Sequence, residues 1–532
     1  MTDQRTCPAR RQDGEVCGRP ARLWKYDDGT EEVACICHSK EPTKDKVEFQ
    51  KALDELFADE SSDCYDLSWF VFPDGNWVFP QKITKDIYFL HAVFEGEISF
   101  APKNGPRRTF QGLADFSHSV FNSDASFTNC DFQGEARFSY GTKFLAQITF
   151  TGSHFAQYAN FKGCVFHVPP ESGMQDADFR LCTFERNSSF RDAKFYRASC
   201  FSNTTFHGDA NFSMARFFHH ADFHSPIISD RTGYRPTLFN GMARFAGTQF
   251  MDAKFTRCEF RNGADFREAK FTASIDFRYC RFSAPGKVLF EKNDLSKAFW
   301  AGSDISRVIF RNVSWHWEPR KFLHSRRNII AEELSLKDRA KKRARISLDE
   351  YELAAQTYRQ LQQNYGESYR YPEAGDFYVG EQEMELSIRK ENSKILAVAS
   401  WLYKVTSNYG EDVLSPVILL AVVIFASVCC LLLSGFCPHA DRFDTLENVY
   451  VNYDLSVSLD GISSFGRGDF WLDLVDAFNV NLDILLLRSD AADKHLSTSC
   501  QKLVMRVELL LVVVFLTFFI LALRRKFKRK SF

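Results

Sequence analysis

ADFSHSVFNSDASFTNCDFQGEARF, residues Ala114–Phe138, places phenylalanine at 116, 121, 127, 132 and 138, five or six residues apart. A helix of period 3.6 cannot keep that spacing on one face, and a pleated strand presents a face every second residue. A chain that turns a corner about every five residues does bring each of these side chains to a common axis.

The ladder extends in both directions from this stretch. It continues through Phe144, Phe150, Phe155, Phe161 and Phe166, resumes from Phe179 through Phe190, Phe201, Phe212 and Phe223, and runs again from Phe239 through Phe245, Phe255, Phe266, Phe277 and Phe282. It explains why the chain holds 54 Phe in 532 residues. The position two before each Phe is small: Ala114, Ala125, Ala136, Ala159, Ala177, Ala210, Ala221, Ala243 and Ala264, or Cys130, Cys164, Cys182, Cys258 and Cys280. These cysteines read as small buried fillers standing where alanine stands elsewhere. Asp, Asn, Arg, Ser and Thr between them suit solvent-facing corners.

This pattern resembles the pentapeptide-repeat proteins, in the Phe-rich variety with doubled units. The resemblance covers about half of the chain, roughly Ser68 to Asn293. It implies a right-handed quadrilateral β-helix, a solenoid with Phe116, Phe127, Phe138, Phe179, Phe190, Phe212, Phe223, Phe245, Phe266 and Phe277 stacked inside it. His167–Asp176 and His224–Leu238 contain Pro and Gly and read as loops leaving the solenoid. The two ends of such a rod need caps. Some relatives mimic DNA, which demands an acidic surface; between Phe110 and Phe290 there are 17 acidic and 20 basic residues, so nucleic-acid mimicry is disfavoured. His219, His220 and His224 cluster, but without a recognisable ligand spacing they read as solvated corners.

Lys and Arg total 67 against 68 Asp and Glu, a net charge of −1, which excludes a globally basic nucleic-acid coat. A mean hydropathy of −0.28 excludes a polytopic membrane protein but allows one or two spans. Met1–Glu32 is polar, with no apolar stretch to act as a secretory signal, so this part is expected to be cytosolic and its thiols reduced.

Four residues near the N-terminus have metal-ligand spacing. Cys7, Cys17, Cys35 and His38 form C-x9-C-x17-C-x2-H, with DG and CG turns beside the first pair. The stretch resembles the short zinc knuckles that precede some pentapeptide repeats. Four protein ligands fill a tetrahedron, so the expected zinc is structural rather than catalytic. Cys37 lies inside the last pair and reads as a bystander that could exchange with Cys35.

Beyond Trp317 the composition shifts to Ala, Leu, Glu, Lys and Arg. Ala331–Arg345 and Asp349–Tyr365 read as helices, with Pro372 and Gly375 marking a break before the next and Glu381, Glu383 and Glu385 on a solvated face. This part resembles a helical hairpin that follows the repeats in membrane-bound members. Pro416–Ser434 is uncharged and long enough to cross a bilayer; Val504–Leu523 is too, if Arg506 and Glu508 sit at the interface. The basic exit Arg524–Lys530 is expected to stay cytosolic. A two-pass protein of the inner (plasma) membrane follows, with both termini cytoplasmic and the loop Phe436–Gln501 outside. A disulfide between Cys437 and Cys500 at the ends of that loop is left open.

Phe470–Asp490 is amphipathic and lies between the spans, the layout of a two-span channel with a pore helix. Some pentapeptide-repeat membrane proteins carry such a module. Where a potassium channel has its glycine-rich filter, this chain has Asp483, three leucines, Arg488 and Asp490, so its carbonyls cannot line a filter. The module reads as degenerate.

The expected architecture is multi-domain: a zinc-knuckle domain at 1–45, the β-solenoid at 46–325, a helical stalk at 326–410 and a membrane domain at 411–532, with spans about 414–435 and 504–524. No enzyme motif is present. The reading is a membrane-anchored scaffold or sensor, with the lipid bilayer and an unidentified protein as partners. The alternative is a homo-oligomeric pore gated by the solenoid.

Overall fold

In the computed structural model, the described residues are 5–102, 105–166, 177–223, 236–319, 326–434, 470–485 and 499–528. They fall into two compact units, one of the described residues up to Phe377 and the other of those from Tyr378 onward.

The first unit is built on a β-solenoid of about ten turns. Most of its strands are two or three residues long; they pair in parallel and stack into four faces. One face is an 11-stranded ladder and another a 9-stranded ladder; the remaining two merge into a 16-stranded sheet where Arg216–Asp222 runs through a corner. Register keeps like above like: Ala114 pairs with Ala136 and Ala136 with Ala159, while Phe121 pairs with Phe144 and Phe144 with Phe166. Each Phe therefore stacks on the Phe one coil away. Phe138 and Phe161 lie 5.0 Å apart and 1° from parallel, and Phe161 and Phe190 lie 4.8 Å apart at 2°. Within a coil the rings meet edge to face, as Phe150 and Phe161 do at 5.4 Å and 83°.

Corners are made by residues with positive φ two after alternate Phe, among them His118, Asn129, Leu181 and Asp192. The parts of 167–176 and 224–235 expected as loops lie outside the described residues, but register is unbroken across both, since Ile148 pairs with Ala177 and Thr205 with Leu238. The second loop ends sooner than expected, because Leu238 already belongs to a strand.

The cysteines of the ladder are buried as expected, in a column that also holds Ala193, Ala215 and Ala269. Cys130, Cys164, Cys182, Cys258 and Cys280 follow the positive-φ corner, whereas Ala114, Ala136 and Ala159 open strands on another face. The cysteine column is shared with Ser119, Thr142, Ser153, Thr204 and Thr248, and its thiols and hydroxyls donate to a buried Phe carbonyl of the preceding coil. Thr142 Oγ1 reaches the Phe116 carbonyl at 2.9 Å, Cys182 Sγ that of Phe150 at 3.1 Å and Cys280 Sγ that of Phe255 at 2.9 Å. The thiols are thus hydrogen-bond donors to buried acceptors as well as fillers. Burial pushes Cys182 and Cys164 well above the usual thiol range.

Both ends of the solenoid are covered, as a rod with exposed strand edges requires. Helix α1 (Lys46–Ala58), capped by Asp45, sets Phe49 and Leu53 wholly inside. Phe49 packs 5.3 Å from Phe72 and 4.6 Å from Trp77. At the other end α2 (Ala331–Lys341), α3 (Leu348–Glu367) and the start of α4 (Tyr371–Asn392) close the last coil. Asn364 Nδ2 serves the carbonyls of Ile305, Ser306 and Val308 at 3.1, 3.0 and 2.6 Å. The break between α3 and α4 falls at Ser368–Arg370, with Tyr369 at positive φ. Pro372 lies in the first turn of α4, where its missing N–H costs nothing, and Gly375 lies within the helix.

Glu332 of α2 accepts the backbone N–H of Trp300 and, at 2.8 Å, that of Ala301. It is fully buried, and burial pushes its carboxyl up to about 7 against these hydrogen bonds. An acid raised on folding adds stability that is whole below its ordinary pKa and lost as pH rises through the folded value. The folded protein is therefore expected to lose roughly 3 kcal/mol between about pH 4.5 and 7.5 through this one group. Glu332→Gln keeps the acceptor and removes the titration. Denaturant midpoints of full-length wild type and variant against pH should diverge as the pH rises, and parallel curves would contradict the assignment.

The second unit holds the rest of α4, α5 (Lys394–Ser407), α6 (Leu414–Ser434), α7 (Phe470–Leu485) and α8 (Ser499–Lys528). Two segments, Leu414–Leu433 and Arg506–Arg524, are long and apolar enough to cross a membrane. Asn408, Tyr409 and Gly410 all take positive φ and reverse the chain between α5 and α6. Glu381, Glu383 and Glu385 are not on a solvated face as expected: Glu381 is buried, Glu383 pairs with Lys404 at 2.8 Å and Glu385 with Arg389 at 2.5 Å.

Candidate metal centre

The N-terminal module is built from small turns. A hairpin turning at Gly14 bridges Arg10 to Val16, and Cys17 N donates to the Ala9 carbonyl at 2.6 Å. Cys7 N then bonds the Arg19 carbonyl at 2.9 Å, which lays Cys7 beside Cys17. Strands β1 (Arg5–Thr6), β2 (Pro20–Lys25) and β3 (Glu31–Ala34) form an antiparallel sheet, and its last strand leads into Cys35. One helical turn follows, with His38 N and Ser39 N both on the Cys35 carbonyl, so Cys35 and His38 point the same way.

The four predicted ligands come together. The sulfurs of Cys7, Cys17 and Cys35 and a ring nitrogen of His38 all lie within 4.8 Å of one another, and all four residues are buried. His38 Nδ1 is 3.4 Å from Cys7 Sγ and 3.1 Å from Cys35 Sγ. Its other nitrogen, Nε2, is 3.1 Å from the Ser68 carbonyl, which can only accept, so Nε2 carries a hydrogen and, in the neutral ring, Nδ1 turns its lone pair to the sulfurs. Burial disfavours an imidazolium here, but the sulfurs of Cys17 and Cys7 outweigh it and push His38 up to about 9. Cys7 is pulled down by hydrogen bonds from Cys17 and Cys35. A cluster that stabilises positive charge against burial, with three soft donors and an oriented imidazole, fits a metal cation. Cys37, also buried, stands outside the set, 3.5 Å from an Arg19 guanidinium nitrogen.

The module is joined to the first coil. Val71 N donates to the Cys37 carbonyl at 2.8 Å, and the His38 ring meets Phe70 edge-on at 5.0 Å. The Ser68 carbonyl and Phe70 lie some thirty residues from the ligand motif and have no signature that sequence reasoning could use.

A second feature of the solenoid is a surface ladder at the positive-φ corners, where Trp69, His91, His118 and Tyr140 stack in order. Trp69 and His91 are 4.0 Å apart, His91 and His118 4.6 Å, and His118 and Tyr140 5.9 Å. Trp69 is 47% and Tyr140 63% exposed. His220 Nδ1 donates to the Asp252 carboxylate at 2.9 Å, and no metal-ligating group forms around it among the described residues.

A protein-family model described as pentapeptide repeats (9 copies) matches residues 109–140. That stretch of the solenoid is similar to pentapeptide repeats. A solved structure described as full-length QnrB1, a plasmid-mediated fluoroquinolone resistance protein, is 19% identical over 42% of this chain and 94% of its own, with a TM-score of 0.12. No curated protein matches.

Of the remaining predicted sites, Asp483 lies in the last turn of α7, while Arg488, Asp490 and Cys437 lie outside the described residues, as does the side chain of Cys500. The disulfide therefore has no structural reading.

Proposed function

We propose that this protein is a membrane-anchored scaffold that presents its solenoid to a protein partner. The observation that carries the anchor is the inverted amphipathicity of α5. This helix turns Ala397, Ser400, Thr406 and Ser407 inward, with Arg389 bonded to Ser400 at 2.6 Å, and leaves Ile395, Leu396, Val398, Trp401, Leu402 and Val405 outward. A helix in water does the reverse. An apolar outward face beside two long apolar helices suits the bilayer boundary, with Trp401 at headgroup depth. The two candidate spans are themselves only 28% and 11% buried within the fold, unlike core helices of a soluble protein. Helix α7 likewise buries Ala477 and Asn481 and turns Trp471, Leu472, Val475 and Phe478 outward, which suits lipid better than the lining of an aqueous pore.

The exposed Trp69–Tyr140 ladder is the face we assign to the partner. Its rings are held by the corners at no cost in ordering, and exposed aromatics dominate protein contacts. We further assign zinc to the Cys7, Cys17, Cys35 and His38 cluster. Bonds of about 2.3 Å to sulfur give tetrahedral edges of roughly 3.5 to 3.8 Å, which the observed separations approach with little adjustment. Such a zinc would staple the N-terminal module and carry no reaction.

Membrane fractions washed at alkaline pH test the anchor. Full-length protein is expected to stay in the pellet, while a variant with Leu419, Val423 and Leu511 changed to Asp should be released. Release of wild type would overturn the reading.

A further inference from the structure

Within the helical unit, three polar side chains from three helices meet in an otherwise apolar core. They are Ser427 of α6, Asn481 of α7 and Glu508 of α8, which are 5%, 1% and 4% exposed. Ser427 Oγ is hydrogen-bonded to Glu508 Oε2. Asn481 Nδ2 reaches Ser427 Oγ at 2.8 Å and the two carboxyl oxygens at 3.1 and 3.3 Å. Glu508, at the start of the candidate span Arg506–Arg524, is enclosed by its neighbours on α6 and α7.

The charge balance of this cluster is incomplete. Among the described residues no cation pairs with Glu508. None of the titratable groups on the described helices around it (Lys394 and Lys404 on α5, Cys429 and Cys430 on α6, Asp476 on α7 and Arg506 on α8) is bonded to it, and its resolved interactions are those with Ser427 and Asn481. A bare carboxylate without a counter-charge is expensive in such a core, and an ionisable group between spans marks a ligand or proton pathway. The three groups are closed on one another at hydrogen-bond distance, which leaves no gap for a metal ion between them.

The amide of Asn481 supplies the second observation. Its Oδ1 is buried without a hydrogen-bond partner, while its Nδ2 faces the carboxyl. A half-turn about the amide exchanges the two atoms. With Nδ2 inward the amide donates to an ionised Glu508; with Oδ1 inward it accepts the O–H of a protonated one. The same three side chains therefore serve both protonation states, and the orphaned acceptor is the one the proton would use.

We propose that Ser427, Asn481 and Glu508 form a proton-binding site between α6, α7 and α8, in which Glu508 carries the proton and Asn481 turns its amide as the proton arrives and leaves. The balance is one proton taken from or given to water by one carboxyl oxygen, with no other bond made or broken. This rests on the reading of α6 and α8 as spans.

Full-length protein reconstituted in phosphatidylcholine vesicles, examined by infrared difference spectroscopy in light and heavy water, tests the site. Expected is a carboxylic-acid C=O band at neutral pH that shifts on deuteration and is lost in Glu508→Gln, a neutral isostere that keeps the helices packed. Ser427→Ala, which leaves the carboxyl in place, should keep the band and move its frequency. A band unchanged in Glu508→Gln, or no such band at neutral or mildly acidic pH, overturns the proposal. A band that appears only when sodium is withdrawn also overturns it, in favour of a sodium site. Vesicle flotation on the same samples separates the failures: protein that floats without the band sinks the proton site alone, whereas protein that does not float sinks the membrane reading beneath it.

Discussion

Phe190→Ala is expected to lower the stability of the solenoid by about 3–5 kcal/mol, the cost of emptying a wholly buried aromatic site. Phe190 is fully enclosed, stacked 4.8 Å from Phe161 and 4.7 Å from Phe212, with edge contacts to Phe179 and Phe201 at 5.3 and 5.4 Å. No neighbour can collapse into the gap, because each ring is fixed by parallel strands above and below it. The stacked pairs add roughly 0.5–1.5 kcal/mol each beyond the area they bury. Phe190→Leu keeps most of the volume and is expected to cost about 1.5 kcal/mol. Phe271 is a useful contrast: it is only partly buried, and its stack on Phe250 is looser, at 5.9 Å and 19°. Phe271→Ala should therefore cost less than half as much. Denaturant unfolding of the three full-length variants, followed by circular dichroism, checks the order. Equal losses at positions 190 and 271 would mean that ring stacking does not set the stability of the rod.

The solenoid was legible because its signal is redundant. Each Phe at five-residue spacing repeats the same instruction, and the parallel register then follows from stacking like on like. What was less legible is chemistry that depends on a neighbour one coil away. Cys164 looks like a small hydrophobe in sequence, and only the Phe138 carbonyl beneath its sulfur makes it a donor. Ser119, Thr142 and Ser153 in the same column carried the hint, since hydroxyls at an inward position need an acceptor. The helical cap shows the same limit. Pro372 and Gly375 both suggest a break, but a proline fits the first turn of a helix and a single glycine does not end one; the turn belongs to Tyr369. At the metal cluster the ligands were legible from turn glycines and the C-x2-H spacing, because those contacts are local. The cluster of Ser427, Asn481 and Glu508 was not, because it joins residues 27 to 81 positions apart.

Stripping the metal from the N-terminal cluster is expected to unfold β1–β3 while the solenoid beyond the first coils remains intact. The module is a short sheet whose buried centre is mostly its four ligands and Trp24, too small a core to fold by apolar burial alone. In domains of this kind the binding energy of structural zinc, apparently about 10–16 kcal/mol in isolated zinc-finger peptides, is the folding energy. Without a cation the three sulfurs and the imidazole would have to share protons inside a buried pocket. The His38–Ser68 and Cys37–Val71 contacts that dock the module would then be lost together. Purified full-length protein should hold one zinc per chain by elemental analysis. Each ligand sheds its proton to bind, so the metal should leave as the pH falls. A chelator, or Cys35→Ser, should open Cys7 and Cys17 to alkylation while Cys164 and Cys182 stay protected. Cys37→Ser should leave the zinc in place, since its sulfur, which meets Cys35 and Arg19, lies outside the set of four. Protein that carries no metal yet shields Cys7, Cys17 and Cys35 would show that the module is held by packing, and the zinc assignment would fall.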